Sequence, residues 1–524
     1  MTSSVVPGAS PGKRDTFSSR KVFILAAIGS AVGLGNIWRF PYVAYEGGGG
    51  AFMIPYAVAL LAAGIPFLFL DYAVGHKFRG GPPLAFRRLN KKAEWIGWWQ
   101  ALVCVVIATY YAVILAWAAR YIGFSVDHRW GDNPETFFIS DFLQVGDPST
   151  LSLQFVPGVL IPLIIVWVAC IVIMSAGVDK GIGLLSAVFI PVLVIAFVSL
   201  VIIALTLPGA FTGLEAFFTP DWSALTEGSV WMSAIGQIFF SLSVGFGIMI
   251  TYSSYVDRKT DMTGSGLVVG FANSSFELLA GIGVFAALGF MATAAAVPVD
   301  EVVSSGIGLA FIAFPTIISQ APLGSVIGVL FFSSLFIAGI TSMVSILEVG
   351  ISSLREKLGL GRVGGTLAMC LPVAIASCLL LGTTTALPVL DVLDSFVNSF
   401  GILAVATIMM LAVTYAFRKL PILRDYLNRH GTFKVGMVWM GLIAVVLPLA
   451  LLFLLGTDLS KQLAEPYEGY PQWLINTFGW AMAISLPILA IVLSLLPWSK
   501  KAHITAKHTY EHPQPSEPDP YRNS

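Results

Sequence analysis

The sequence predicts an all-α protein that crosses a membrane many times. Hydrophobic residues make up 56% of the 524-residue chain and charged residues only 11%, whereas soluble domains carry about 25% charge. The apolar residues are gathered in long stretches, and a helix needs roughly 20 such residues to cross a bilayer. Lysine and arginine fall mainly in alternate loops between these stretches, as in membrane proteins of fixed orientation.

Twelve apolar stretches are long enough to span a membrane, and an even number of crossings puts both termini on one side. Lys13, Arg14, Arg20 and Lys21 precede the first stretch, whereas the loop 293–324 has no Lys or Arg. Because cytoplasmic loops carry the excess of Lys and Arg, we expect both termini in the cytoplasm. The predicted spans are 22–45, 51–75, 96–123, 157–176, 181–206, 230–256, 265–292, 325–355, 364–384, 390–416, 434–456 and 471–497.

The residue types that enzymes and metal sites need are scarce in these stretches. All six histidines lie in predicted loops or tails, so no buried histidine cluster is expected. Residues 47–50 lack the Gly-Lys-Ser/Thr of a phosphate-binding loop. We therefore expect no enzyme and no catalytic residues. The four cysteines fall inside predicted spans, which favours packing over a disulfide framework; they are Cys104, Cys170, Cys370 and Cys378.

Two glycine-rich interruptions lie in the middle of predicted spans. Residues 30–35 read SAVGLG in the first span, and residues 242–247 read LSVGFG in the sixth. A five-span offset reverses the direction of crossing, so the two halves are predicted to be inverted repeats. In secondary transporters such interruptions mark a binding site near the membrane midplane. Chance is the alternative, because the chain has 51 glycines and small residues also mediate helix packing.

An interrupted helix exposes backbone groups that must find partners, because unpaired groups are costly in hydrocarbon. Freed carbonyl oxygens suit small cations. Freed N–H groups at the start of the next half-helix suit a carboxylate. The interruption within residues 29–41 therefore predicts a site for an ion beside the carboxylate of a zwitterion.

The same residues resemble a known family. The stretch GSAVGLGNIWRFPYVAYEGGGGAFMIPY, residues 29–56, resembles the first two spans of the neurotransmitter:sodium symporter family, especially its bacterial importers of leucine or of methionine and alanine. Residues 236–255, 308–320 and 338–347 match further stretches in the family's order. The resemblance implies two inverted five-helix repeats, in which the first and sixth helices are broken, followed by two peripheral helices.

The resemblance also implies a division of the chain and a location. We expect a cytoplasmic N-terminal segment at 1–19, a ten-span transporter core at 20–417, two last spans at 418–497 and a disordered cytoplasmic tail at 498–524. The location would be the plasma membrane, which is the inner membrane in bacteria. The expected partners are an amino acid and the lipid bilayer, with no nucleic acid. The sequence leaves open whether the chain forms a homodimer or binds a small membrane subunit.

Two Na⁺ sites are implied by the resemblance, both built from oxygen ligands, which hard cations prefer. The residues implied for the first site are Ala31, Asn36, Ser241 and Asn273, with the substrate carboxylate as a further ligand. Ser241 stands where many members have Thr, and the hydroxyl is kept. The residues implied for the second site are Gly29, Val32, Ala338, Thr341 and Ser342.

The resemblance places the substrate in contact with both broken helices. Its carboxylate would meet the amides of Leu34 and Gly35 and the hydroxyl of Tyr111. Its ammonium group would meet backbone carbonyls and the hydroxyl of Ser243, and its side chain would enter an apolar, partly aromatic pocket. The implied substrate-binding residues are Ala31, Gly33, Leu34, Gly35, Ile107, Tyr111, Phe240, Ser241, Ser243, Phe246, Ser342 and Ile346.

Gly33 indicates the class of substrate. Monoamine transporters of the family have Asp at this position, which supplies a carboxylate that their substrates lack. Since Gly33 has no carboxylate, the substrate should carry its own, and an apolar pocket disfavours a charged side chain. We expect Na⁺-coupled import of a neutral, mostly hydrophobic L-amino acid of the alanine, methionine or leucine type by alternating access.

Glu277 lies one helical turn after Asn273, where chloride-dependent relatives have a small hydroxyl residue. A carboxylate at this position could replace the anion, which predicts chloride-independent transport. A static hydrogen-bond network is the alternative.

The gates are also assigned by resemblance. Arg39 and Asp394 would form the outer gate. The inner gate would consist of Arg14, Phe17, Tyr255 and Glu356, where Phe17 replaces the family's usual Trp and Glu356 its usual Asp. Asp71 stands where many members have Glu, and it would either steady the break in the sixth span or lie near the cytoplasmic interface.

Two other functions remain compatible with these residues. One is a non-transporting, Na⁺-dependent amino-acid sensor on the same fold. The other is a channel, which needs a continuous pore and would pass large currents, whereas a carrier saturates and exchanges its substrate.

Overall fold

The computed structural model describes residues 15–500, which are almost entirely helical. In these residues the only β-pairing consists of two isolated bridges, Gly49–Pro220 and Phe155–Thr383. The all-α architecture is therefore confirmed. The main helices are α1 Arg20–Ala31, α2 Leu34–Glu46, α3 Gly50–Phe78, α4 Pro82–Leu89, α5 Lys91–Asp127, α6 Pro157–Ser175, α7 Val178–Leu205, α8 Ala210–Phe218, α9 Gly228–Ser241, α10 Ile248–Ser253, α11 Met262–Ala295, α12 Gly306–Gln320, α13 Gly324–Leu358, α14 Arg362–Leu381, α15 Ala386–Ala416, α16 Leu420–His430, α17 Met437–Gly469 and α18 Gln472–Leu495. Shorter helical segments lie between them at Pro134–Thr136, Phe137–Phe142, Trp222–Thr226 and Val299–Glu301.

Ten of the described helices are long and apolar enough to cross a membrane, and eleven if the bent pair α1–α2 counts as one span. The two helices of that pair meet at 54°. The sixth predicted span, 230–256, is divided into α9 and α10, each shorter than a membrane crossing. Both interruptions coincide with the glycine motifs, so the predicted breaks at 30–35 and 242–247 are confirmed. The inverted relation between the two halves stays a prediction.

Left-handed backbone conformations separate α9 from α10. The φ angles of Ser243, Gly245 and Gly247 are 52°, 88° and 92°, values that disfavour residues with a side chain. A Cβ atom on Gly247 would lie 2.6 Å from the ring of Pro82 in α4. Glycine at this position therefore allows both the turn of the chain and its close approach to α4.

Helices α5 and α13 form the centre of the molecule and pack along much of their length. Trp117 and Tyr121 of α5 are fully buried and contact the ring of Phe311 in α12. By contrast, most residues in the apolar windows of α6, α7, α17 and α18 are not buried within the protein, as expected of lipid-facing helices. All four cysteines are free, as predicted.

The end of the described chain folds back onto the predicted cytoplasmic ends of α5 and α13. The indole N–H of Trp498 donates to both carboxylate oxygens of Glu94, each 3.0 Å away, and Ser499 N donates to the Lys357 carbonyl at 2.9 Å. Lys357 Nζ bonds Glu94 Oε1 at 2.6 Å and lies 4.7 Å from the Trp498 ring centroid. Trp498 and Ser499 thus cover a buried ion pair, although we expected the disordered tail to begin at 498. Residues 501–524 lie outside the described part of the chain.

Replacing Trp498 with Ala should lower thermal stability. The change removes a hydrogen-bond donor and the aromatic cover from Glu94, which is only 2% exposed, and losing such a bond to a buried charge costs about 1–3 kcal/mol. The melting temperature of the purified protein measures the effect. Trp222→Ala is the matched control, because Trp222 is 61% exposed and its removal should change little. Equal melting temperatures for the two variants would contradict the expectation.

Candidate functional site

A cavity of about 530 Å³ lies where the two helix breaks meet. All twelve residues implied for substrate binding line it, and they come from the α1–α2 break, α5, the α9–α10 break and α13. The hydroxyls of Ser243 and Ser342 both donate to the carbonyl of Ser30, at 2.9 and 3.1 Å. The structure therefore brings these residues together, while their individual roles in binding stay predictions.

The start of α2 presents backbone amides to this cavity. Gly33 N donates to Asn36 Oδ1 at 2.8 Å, and the Leu34 amide meets the Tyr111 hydroxyl, which also contacts Ser342. A Cβ atom on Gly33 would lie 3.0 Å from Ser342 Oγ and 3.4 Å from the Tyr111 hydroxyl. The absence of a side chain at Gly33 keeps this corner open, and a helix N-terminus there can hold a carboxylate.

Side chains of α3 and α5 satisfy the backbone that the α9–α10 break sets free. Asp71 Oδ2 accepts from Gly245 N at 3.1 Å, and Gln100 Nε2 donates to the Gly245 carbonyl at 2.8 Å. Cys104 Sγ donates to the Phe246 carbonyl at 3.2 Å. Asp71 was one candidate from the sequence for steadying the break in the sixth span. The sequence did not predict the hydrogen bonds of Gln100 and Cys104 to the same backbone. A single Gln inside an apolar span was the available signal.

Side-chain oxygens implied for the first Na⁺ site form a chain of hydrogen bonds beside the cavity. Asn36 Nδ2 donates to Asn273 Oδ1 at 2.8 Å, and Asn273 Nδ2 donates to Ser241 Oγ at 3.0 Å. Ala31 and Ser241 line the same cavity. The side chains of Asn36, Ser241 and Asn273 are buried and neutral, which fits a cation site made of hard, uncharged ligands.

Residues implied for the second Na⁺ site meet where α1 ends against α13. Thr341 Oγ1 donates to the Ala338 carbonyl at 2.9 Å, and Ser342 Oγ lies 3.4 Å from the Gly29 carbonyl. Val32 has left the helical conformation. Within residues 15–500 no group of three His, Cys, Asp or Glu could hold a metal ion, so a cation bound here would rely on neutral oxygens.

Glu277 is fully buried and connects to the first of these sites. Its carboxylate accepts from the Tyr56 hydroxyl and, at 2.7 Å, from Gln237 Nε2. It also contacts the Ser241 hydroxyl, which is bonded to Asn273. The carboxylate thus contacts Ser241, a residue implied in Na⁺ binding, and is one side chain away from another, Asn273.

The predicted outer gate residues line the cavity but do not touch each other. The Arg39 guanidinium lies over the Phe240 ring, 4.6 Å from its centroid. Asp394 instead accepts from the Tyr110 hydroxyl at 2.6 Å and from Asn398 Nδ2 at 3.0 Å. Among the described residues no ion pair joins Arg39 to Asp394, so this pair does not seal the cavity.

An ionic network closes the opposite end. Arg355 and Arg362 both contact the Asp15 carboxylate. Arg362 also pairs with the buried Glu348 at 2.7 Å, and the Tyr255 hydroxyl donates to the same carboxylate at 2.7 Å. Sequence reasoning named Tyr255 as a gate residue and missed the four charged residues, although a carboxylate inside the span 325–355 is itself a signal.

The remaining inner-gate residues lie beside this network. Phe17 is buried and packs edge-on against Tyr252 and Tyr255, so a Phe ring fills this position. Glu356 accepts from Gly81 N at 2.8 Å. Arg14 lies outside the described residues. The inner end is therefore closed by aromatic packing and charge pairs while the outer pair is apart.

One family model and several known proteins match the sequence of this chain. The model of the sodium:neurotransmitter symporter family matches residues 14–133 and 129–501. An uncharacterized sodium-dependent transporter of Methanocaldococcus jannaschii is 40% identical over 485 residues, which cover 92% of this chain and 97% of that one. The sodium- and chloride-dependent taurine transporter of Homo sapiens is 31% identical over 67% of this chain and 64% of its own. The sodium- and chloride-dependent GABA transporter 2 of Mus musculus is 31% identical over 66% of this chain and 62% of its own.

Proposed function

Because the chain belongs to the sodium:neurotransmitter symporter family, we propose that it couples the import of a neutral, mostly hydrophobic L-amino acid to Na⁺. Membership makes the chain a sodium-dependent, multi-pass membrane transporter of a small molecule. The substrate class, the use of two Na⁺ sites, chloride independence and a plasma-membrane location with cytoplasmic termini are our proposal.

One observation carries the choice of substrate: Gly33 leaves an uncharged corner beside the amides at the start of α2. A substrate carboxylate can occupy that corner, bonded to the Leu34 and Gly35 amides and the Tyr111 hydroxyl. The ammonium group can then reach Ser243 at the α9–α10 break. Taurine and GABA, which name two relatives, are also zwitterions with an ammonium and an acidic group.

The rest of the cavity favours a neutral side chain. Among the residues that the structure describes, the charged ones that line it are Arg39, Asp391 and Asp394. Arg39 and Asp394 are the predicted outer gate pair. Ile107, Phe246 and Ile346 supply apolar surface, and an unpaired charge among such groups is costly. Because one methylene is worth only about 1–3 kcal/mol in an apolar pocket, alanine, methionine and leucine all stay candidates.

Alternating access accounts for the asymmetry of the two gates. The outer pair is apart and the inner network is closed, which is the arrangement that receives substrate from outside. Each charge moved through 100 mV contributes about 2.3 kcal/mol, so two Na⁺ with a zwitterion contribute about 4.6 kcal/mol. That amount supports accumulation by roughly three orders of magnitude.

Glu277 supports independence from chloride. Its carboxylate already occupies the position between Tyr56, Gln237 and Ser241, so a negative charge next to the first Na⁺ site does not require a bound anion. The relatives from Homo sapiens and Mus musculus are named as chloride-dependent, and we propose that this chain differs from them.

Binding of amino acids to the purified full chain in Na⁺ and in K⁺ tests the proposal. We expect Na⁺-dependent binding of one or a few neutral L-amino acids from a panel that also contains taurine and GABA. Asn36→Leu removes an amide implied in Na⁺ binding and should weaken the Na⁺-dependent binding of the amino acid. Asn476 is exposed, so Asn476→Leu should leave that binding unchanged. Equal binding in both salts, or preference for a charged amino acid, would show the proposal to be wrong.

Uptake into liposomes separates transport from sensing. Accumulation that requires a Na⁺ gradient identifies a symporter, and Na⁺-dependent binding without accumulation identifies a sensor. Large currents without saturation identify a channel.

A further inference from the structure

The chain between α17 and α18 reaches the mouth of the substrate cavity. Helix α17 ends in a short turn, Tyr467–Gly469, and we call residues 465–471 the outer connection. Its residue Tyr470 lines the substrate cavity. Tyr467 lines a second cavity of about 590 Å³, which Arg39 and Asp394 also line. Two helices that the resemblance treats as peripheral thus contribute side chains beside the predicted outer gate.

Both tyrosine hydroxyls donate to one carboxylate, that of Asp391 in α15. The Tyr467 hydroxyl lies 3.1 Å from Oδ1, and the Tyr470 hydroxyl lies 3.1 Å from Oδ2. Each oxygen of this carboxylate therefore has a donor of its own, and both donors come from the outer connection.

Other contacts also hold α17 and α18 against α15. Ser399 Oγ of α15 donates to Asp458 Oδ2 of α17 at 2.6 Å. The Trp480 ring of α18 packs against the rings of Phe396 and Phe400, each with a centroid 5.1 Å away. The attachment of these helices therefore does not depend on the two tyrosine hydroxyls alone.

The predicted gate carboxylate of Asp394 is engaged differently. Asp391 precedes it by three residues, so the two carboxylates lie on one face of α15, and both line the substrate cavity. Asp394 accepts both of its hydrogen bonds on Oδ1, from Tyr110 and Asn398. Within residues 15–500 its Oδ2 accepts none. Arg39 therefore faces one carboxylate with an uncommitted oxygen and one whose two oxygens are both occupied.

We propose that Tyr467 and Tyr470 are positioning residues that hold Asp391 so that Arg39 closes onto Asp394. Their hydroxyls supply the donors that the Asp391 carboxylate would otherwise take from the guanidinium. Pairing with Asp391 would leave the guanidinium about 4.5 Å farther toward the outer end of α15, the rise of a helix over the three intervening steps. The cavity would then stay unsealed. The inference rests on the proposed function, because it concerns the outer gate of that transporter.

Uptake into liposomes driven by a Na⁺ gradient tests the proposal with the double variant Tyr467→Phe, Tyr470→Phe. Both rings stay, and only the donors to Asp391 are lost. Because Arg39 would then divide between two carboxylates, we expect the maximal rate of uptake to fall roughly tenfold. Na⁺-dependent binding of the amino acid takes place while the gate is apart, so its affinity should not change.

Tyr415→Phe is the matched control. It removes a hydroxyl that joins the other end of α15 to α17 through the Ala444 carbonyl, at 2.8 Å. Uptake and binding should both match the wild type. An equal loss of uptake in this control and in the double variant overturns the proposal.

Adding Asp391→Asn to the double variant separates selection of the gate partner from anchoring of the outer connection. The competing charge is then gone, so Arg39 should again close onto Asp394 and the maximal rate should recover most of its wild-type value. Anchoring would not be restored by this change. Failure to recover overturns the proposal, as does a double variant that binds the amino acid more weakly, since the hydroxyls would then act on the substrate itself.

The wild type distinguishes this inference from the proposed function. If the wild type shows no uptake driven by Na⁺, the proposed function fails and the inference fails with it. If the wild type transports and the double variant transports equally fast, the inference alone is wrong.

Discussion

Replacing Gly33 with Asp is expected to abolish binding of neutral amino acids. The new carboxylate would project into the corner bounded by Ser342 and Tyr111, where a Cβ atom alone already lies 3.0 Å from Ser342 Oγ. It would face the carboxylate of the substrate, and like charges at such a distance cost several kcal/mol. A loss of affinity of roughly a hundredfold or more should follow. Na⁺-dependent binding of the preferred amino acid to the purified protein measures it.

Gly33→Ala separates crowding from charge. Its methyl group meets the same Ser342 hydroxyl without adding a negative charge, so the expected loss is about tenfold, as for modest overpacking. A decarboxylated amine analogue of the substrate supplies the converse test, because the Asp variant should bind it better than the wild type does. If the Ala and Asp variants lose affinity equally and neither gains the amine, charge at this position does not select the substrate.

Replacing Glu277 with Ser should make transport depend on chloride. The change removes the carboxylate that accepts from the Tyr56 hydroxyl and from Gln237 Nε2, so two buried donors are left facing a vacated space. Such donors favour an anion, and the adjacent Na⁺ site would favour one too. We expect uptake into liposomes to be stimulated by chloride at least about tenfold in this variant, equivalent to about 1.4 kcal/mol. Uptake by the wild type should be equal in chloride and in gluconate.

Glu277→Gln is the matched control for this prediction. The amide fills the space of the carboxylate, so no anion can enter, and chloride should have no effect. The Gln variant should also transport slowly, because it loses the negative charge without gaining a substitute. A wild type that strictly requires chloride, or a Ser variant that ignores it, would refute the role assigned to Glu277.

Local rules of backbone chemistry were sufficient to predict the breaks in the first and sixth spans. Glycine at positions 33, 245 and 247 marks a chain that leaves the helix, and the polar groups set free there require a function inside a membrane. The convergence of the predicted substrate residues on one cavity had a different source. It rested on the resemblance to a family, since no local pattern connects Ile107 with Ile346.

Residues that act through tertiary contact were beyond this reasoning. Gln100 lies 145 positions from Gly245, whose carbonyl it satisfies, and Arg362 neutralises Glu348 only because α13 and α14 are joined by a tight turn. In the sequence these side chains read as isolated polar residues at or near apolar stretches. A rule that assigns a partner to each intramembrane polar residue would have flagged them, but only the fold identifies the partners.

The carbonyl of Ser30 orients two hydroxyl groups of the cavity. The Ser243 hydroxyl donates to this oxygen, and the Ser342 hydroxyl donates to it with the Gly29 carbonyl as a second acceptor at 3.4 Å, so both protons point at backbone carbonyls. A hydroxyl has one proton and two lone pairs, so these two side chains can offer only lone pairs to anything that arrives. Both dipoles are thus oriented before an ion or an ammonium group enters, and neither has to rotate to receive it. At these two positions the cavity therefore presents oxygen lone pairs, which favour positive charge over negative charge.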